Sequence, residues 1–177
     1  PSMDILISSN LERLLYHLTG ENDAVINDWF GRLKTEGKYE VSADVKAKIS
    51  ELFWAGCCND DETKAEIKST FENYNYLLDT HTAVAVKVYE DYKKATGDET
   101  RTVIASTANP YKFSGAVYEA VGGTVSDDEW QNIAELESKT GTKMPAPLAA
   151  TKNKEIRFTG SVEKQEMPEV VCKFLKS

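Results

Sequence analysis

Histidine is almost missing: His17 and His81 are the two in 177 residues, too few and too scattered to build a metal cage. Cysteine is scarce as well. Cys57, Cys58 and Cys172 cannot all pair within one chain, and the adjacent pair has neither disulfide-framework nor zinc-site spacing, so reduced, partly buried thiols are expected. No glycine-rich phosphate loop of either common pattern occurs. No apolar run approaches the roughly 20 residues of a membrane span, and no basic-then-apolar leader opens the chain. A cytoplasmic setting without membrane contact is therefore expected. Positive charge is in deficit: 21 Lys and Arg against 29 Asp and Glu give a net charge of -8. Gripping a phosphate backbone needs clustered cations, so nucleic acid is excluded as a partner class. An initiating Met is not in first place. The chain opens on Pro1, and unless Met3 is the start, it reads as a piece of something longer.

What is present is a chain patterned for helices, with 41% hydrophobic and 28% charged residues, enough for one core or two small ones. Leu11, Leu14, Leu15 and Leu18 recur at helical spacing before Gly20, with Ser9 or Asn10 near the start. Asn22 or Asp23 caps a second helix whose stripe is Val25, Ile26, Trp29, Phe30 and Leu33, and Trp29 is expected in the core. Ser42 opens a third through Val45, Ile49 and Leu52, after which the aromatic run "FWAGC" breaks the period and suggests a short strand. Asp60 or Asp61 caps a fourth, with Ile67, Phe71 and Tyr74 on one face. The following "DTHTAVAVKVYEDYKK" is apolar nearly all round its first two turns, the pattern of a helix buried in a larger body. Farther on, Ser126 and Glu129 have capping-box spacing before a helix that turns Trp130, Ile133 and Ala134 inward. "MPAPLAA" reads as a linker, "KEIRFTG" as an edge strand and Pro168 to Lys176 as a final short helix.

Acidic clusters such as "NDDE", "SDDE" and "GDE" stand where helices begin, and the helix macrodipole accounts for them without paired catalytic carboxylates. His81, just after Asp79, either lines a pocket or caps and packs; its residue type leaves both open.

The stretch "TVIASTANPYKF", Thr102 to Phe113, carries the most chemistry. Val103 and Ile104 favour extended backbone, whereas Asn109 and Pro110 suit an N-cap followed by a first helical residue. A strand over Thr102 to Ser106 feeding a helix through Phe113, Ala116, Val117 and Ala120 to Gly122 and Gly123 is expected, a βα unit. Ser106 and Thr107 then stand at the carboxyl end of the strand, where open α/β sheets bind ligands. Two readings remain: a binding site, or hydroxyls that satisfy loop backbone groups.

Three stretches, "SMDILISSNLERLL", "LLDTHTAVAV" and "STANPYKF", resemble in order segments of the carboxyl-terminal third of the longer bacterial and fungal threonine synthases. The resemblance runs through essentially the whole chain and weakens after Gly123. It implies an α/β class: the helix-rich C-terminal portion of a fold type II, tryptophan synthase β-like enzyme dependent on pyridoxal phosphate (PLP), with few short strands. Residues 1–177 would be that portion, 1–123 the main helical and βα region and 124–177 the C-terminal helices and edge strand. The activity implied for the intact enzyme is a lyase reaction of threonine biosynthesis, O-phosphohomoserine and water giving threonine and phosphate.

The resemblance also assigns residues. A hydroxyl at the strand end faces the pyridine nitrogen of the cofactor; Thr107 is the matching position and Ser106 the fallback. The Schiff-base lysine and the phosphate cradle belong to upstream sequence, so no residue of this chain inherits a catalytic role, Lys112 included, and the chain alone is expected to be inactive and to bind no PLP. The missing N-terminal domains would be its partners. Thr80 and Asn109 depart from the Pro and His usual in the family. Against this stand two readings of other kinds, a free-standing helical interaction module docking through Thr82 to Tyr89 and a small anion-binding domain at the helix start after Asn109.

Overall fold

The described residues, 7–176 of the computed structural model, form nine α-helices: α1 (Ser9–Leu18), α2 (Asp23–Glu36), α3 (Ala43–Leu52), α4 (Asp60–Tyr74), α5 (Thr80–Thr96), α6 (Ser114–Ala120), α7 (Glu129–Thr140), α8 (Ala146–Ala149) and α9 (Met167–Phe174). A 3-10 turn, Pro110–Phe113, leads into α6, and another, Lys164–Glu166, into α9. The residues before Ile7, including Pro1 and Met3, lie outside the described residues.

The caps follow from side-chain reach. Ser8 and Asn22 accept from the N–H groups of Leu11 and Val25, and Asn59 forms a reciprocal capping box with Glu62. The α1 cap is thus one residue before Ser9, and the α4 cap is Asn59 rather than Asp60 or Asp61. An amide oxygen at Asn59 supplies the cap while the acids that follow it sit against the helix dipole.

Two apolar cores result. Leu15, Ile26, Trp29 and Val45 form one among α1, α2 and α3, and Tyr39 stacks on Trp29 with ring centroids 6.2 Å apart. Trp29 is buried, as its stripe predicts. Ile67, Leu77, Leu78, Ala83, Val117 and Leu136 anchor the other, which joins α4, α5, α6 and α7. Each fully buried Leu or Ile contributes about 1.5–3 kcal/mol relative to leaving it in water. Lys64 Nζ reaches Glu119 across α4 and α6 at 2.8 Å.

The α7 start departs from expectation. Asp128, not Ser126, is the cap, accepting from the N–H groups of Trp130 and Gln131. Ser126 instead pairs with Asn132, and Glu129 accepts a hydrogen bond from the buried Ser114 hydroxyl. An Asp one residue before the helix accepts from the N–H groups two and three positions on, which Ser126 lies too far back to serve. Ile133 is buried and Trp130 half-buried, but Ala134 faces out. "MPAPLAA" contains α8, and the last helix runs from Met167 rather than Pro168.

No strand occurs among the described residues. "FWAGC", Thr102 to Ser106 and "KEIRFTG" all have β-favouring residues, yet none finds a ladder partner in this chain, so the second half is not a βα unit with a formed strand. Backbone preference alone does not make a strand; its N–H and C=O groups need a neighbour to exchange bonds with. The chain is the helix-rich part of an α/β architecture. The thiols are free, with Cys57 and Cys172 exposed and Cys58 half-buried.

Candidate functional site

The site begins at the start of α5. Asp79, 1% exposed, caps the helix by accepting from the N–H of His81 at 2.8 Å and of Thr82 at 3.3 Å. It also accepts the hydroxyl proton of the buried Thr82. His81 Nδ1 stands 3.3 Å from the same carboxylate without making a hydrogen bond, and its ring lies 5.4 Å from that of Phe113. Asp79 thus spends three acceptor contacts on its own helix. His81 packs against Phe113.

Twenty-four residues along the chain, Ser106 Oγ lies 3.1 Å from Thr82 Oγ1. Thr82 has one hydroxyl proton, and a carboxylate can only accept, so with that proton given to Asp79 the contact takes Ser106 as donor. The exposed Thr107 follows, and its hydroxyl has no partner among the described residues. Two residues on, Asn109 Oδ1 accepts from the N–H of Tyr111 at 3.0 Å and starts the 3-10 turn at Pro110, which is the Asn-Pro chemistry read from the sequence. Tyr111 is itself buried, its hydroxyl 2.8 Å from that of Thr142.

The other end of the segment is fixed at the end of α5. Asp98 accepts from the Tyr92 hydroxyl at 2.6 Å and the Thr100 N–H at 2.8 Å. Hydrogen bonds from the Thr100 and Tyr92 side chains, with that backbone N–H, hold the Asp98 carboxyl down to about 2, and the same contact pushes the Tyr92 phenol up. Between these anchors the segment is apolar but uncovered: Val103 is 91% exposed.

Two grooves flank α5. One, of about 650 Å³, is lined by Phe53, Trp54, Val88, Tyr92, Val103 and Ile104. Trp54 meets Tyr92 edge to face at 5.5 Å, and a Cβ at Gly56 would come within 3.1 Å of Val88, so only glycine allows this approach without displacing it. The larger, of about 1240 Å³, lies between the α4 start and α6 and is lined by Asn59, Lys64, Thr80, Val84 and Phe113 among others. Neither includes Ser106 or Thr107. The two hydroxyls sit on an open, exposed edge outside both grooves. No group of acids, histidines and cysteines able to hold a metal occurs among the described residues.

The family model described as threonine synthase, C-terminal, matches residues 82–170, the stretch that contains Thr82, Ser106 and Thr107. This chain belongs to that family. Threonine synthase from Saccharomyces cerevisiae is 39% identical over 137 residues, covering 70% of the chain and 27% of the relative. Two solved structures agree: PLP-bound threonine synthase from Brucella melitensis (37% identity, TM-score 0.62, over 78% of this chain and 29% of that one) and yeast threonine synthase (30%, 0.73, over 99% and 36%). The chain thus spans about a quarter of the length of the curated yeast threonine synthase it matches.

Two features of the site escaped sequence reasoning. Thr82 and Asp79 read as helix-start residues, and nothing in a single sequence pairs Thr82 with Ser106. The cluster "GDE" reads as a helix start, yet it follows the end of α5, where Gly97 is the C-cap and Asp98 closes a turn onto Tyr92 and Thr100.

Proposed function

We propose that this chain is the C-terminal part of a cytoplasmic, PLP-dependent threonine synthase, which forms threonine and phosphate from O-phosphohomoserine and water, and that Thr107 supplies the partner of the cofactor's ring nitrogen. The observation that carries the reading is an exposed hydroxyl without a partner, held between two anchored residues inside the region matched to the family.

The donor set fits such a group. A pyridine nitrogen takes a single hydrogen bond, and the stretch from Thr102 to Phe113 offers hydroxyls and no carboxylate. Asp79, the acid joined to Ser106 through Thr82, is buried and already occupied. When bound, PLP supplies the electron sink for the reaction. Thr107 is a neutral partner for its nitrogen and does not enforce protonation there, unlike a carboxylate. Ser106 turns toward Thr82 and is the second choice. No lysine of this chain is assigned to the cofactor; the carrying lysine and the phosphate cradle belong to the rest of the synthase. The chain alone is inactive.

The test is made in the full-length synthase. Thr107→Ala removes one hydrogen bond worth about 1–3 kcal/mol if its partner is left unpaired, which lowers threonine formation by about one to two decades if the loss falls on the transition state. Thr107→Asp raises the proton affinity of the nitrogen and shifts the cofactor absorption band. Wild-type spectra and turnover in both variants would make Thr107 a junction hydroxyl and nothing more.

A further inference from the structure

We infer that Asp79 and Thr82 are positioning residues, the buried root of a relay that clamps Ser106 and thereby aims Thr107 at the cofactor nitrogen; this rests on the function proposed above. Three observations carry it. Asp79 and Thr82 are buried at the first turn of α5, on an element whose first turns pack into the α4–α7 core, so the root of the clamp does not drift. The relay crosses from that helix to an exposed segment, through a 3.1 Å contact between Thr82 and Ser106. Ser106 and Thr107 then differ although both are exposed alcohols: the Ser106 proton is directed inward by the Thr82–Asp79 hydrogen bond, while the Thr107 hydroxyl keeps its proton for an outside acceptor.

The Asn109 cap holds the far side of Thr107. With its neighbours fixed on both sides, Thr107 has little backbone freedom left to lose when the acceptor arrives, and pre-ordering of this kind appears as tighter binding. A clamp of one hydroxyl from each of two elements also explains why a β-patterned stretch without a ladder partner has a defined place against α5. Asp98 and Tyr92 fix its start and the relay fixes its end.

A residue that acts through another shows non-additive effects with it. The experiment is a double-mutant cycle in the full-length holo-synthase, read by the dissociation constant of PLP and by the ring-nitrogen resonance of bound PLP labelled with 15N. Thr107→Val weakens PLP about tenfold and moves the resonance toward that of an unbonded pyridine. Thr82→Val, which keeps shape and removes the hydroxyl, moves both readouts in the same direction by about threefold or more. Thr82→Ser rescues them, and Thr82→Val with Thr107→Val is no weaker than Thr107→Val alone.

Ser106→Ala, at an exposed position, cuts the outer end of the relay without disturbing the core and should reproduce Thr82→Val if that variant does not fold. Additive losses, a Thr82→Ser variant as weak as Thr82→Val, or a Ser106→Ala loss without a Thr82→Val loss in a folded protein would overturn the relay and leave the Thr107 assignment standing. Failure of Thr107→Val to move either readout would overturn the assignment itself, and the relay with it.

Discussion

The α4–α7 core and the segment from Thr100 to Thr107 have comparable shares of apolar residues and opposite fates. In the core, Ile67, Val117 and Leu136 are fully buried by neighbours this chain supplies. In the segment, Val103 points into water, and the Phe53 and Trp54 side chains beside it are more than half exposed. An apolar β-favouring run is stable only against a partner surface. The difference teaches where the chain is self-sufficient and where it is one side of something larger, and the candidate hydroxyls stand on the second kind of ground, tied to the first by the Thr82–Ser106 contact and, past Thr107, by the Asn109 cap.

The comparison breaks most visibly in the core. Leu136→Ala leaves a cavity at a fully buried site, and a loss of about 2–5 kcal/mol is expected in chemical denaturation. Gly123→Ala comes next. A Cβ there would overlap the buried Tyr118 ring, whose hydroxyl donates to Glu135, so the ring must move; denaturant midpoints should fall by the equivalent of about 1–3 kcal/mol.

A smaller effect tests the segment's upstream anchor. Asp98 is held at about 2 when folded against about 3.9 for a free Asp, so its contribution is complete above the higher value and is lost as pH falls through the lower one. Thermal melts should therefore show Asp98→Asn less stable than wild type at pH 6, with the gap closing toward pH 2. The smallest effect is the most telling about exposure: Val103→Ser should alter the stability of this chain by no more than about 0.5 kcal/mol.

Sequence patterning located the helices well wherever the burying surface lay nearby. The Trp29 stripe, the Asp79 start of α5 and the Asn109–Pro110 junction stand where residue chemistry put them. The three strand expectations did not materialise because strand formation depends on a partner, and the Val103–Ile104 pattern records a burial that this chain does not provide. The capping box at Ser126 did not form because the helix starts later, with Asp128 accepting from the N–H groups of Trp130 and Gln131 and the Glu129 carboxylate taken by Ser114. Of the site, the hydroxyl pair was legible as residue types. Its asymmetry was not, because it arises from a contact between Thr82 and Ser106 that no local spacing encodes.

The central claim is that the Thr100 to Thr107 face is one side of a junction with the rest of a synthase. Amide hydrogen exchange measured on the 177-residue chain and on the full-length synthase compares both regions at once. Protection in α4 to α7 should be nearly the same in the two proteins, while amides of residues 102–107 should exchange quickly in the chain and slow by on the order of 100-fold or more in the synthase. Equal, fast exchange of 102–107 in both proteins would contradict the account.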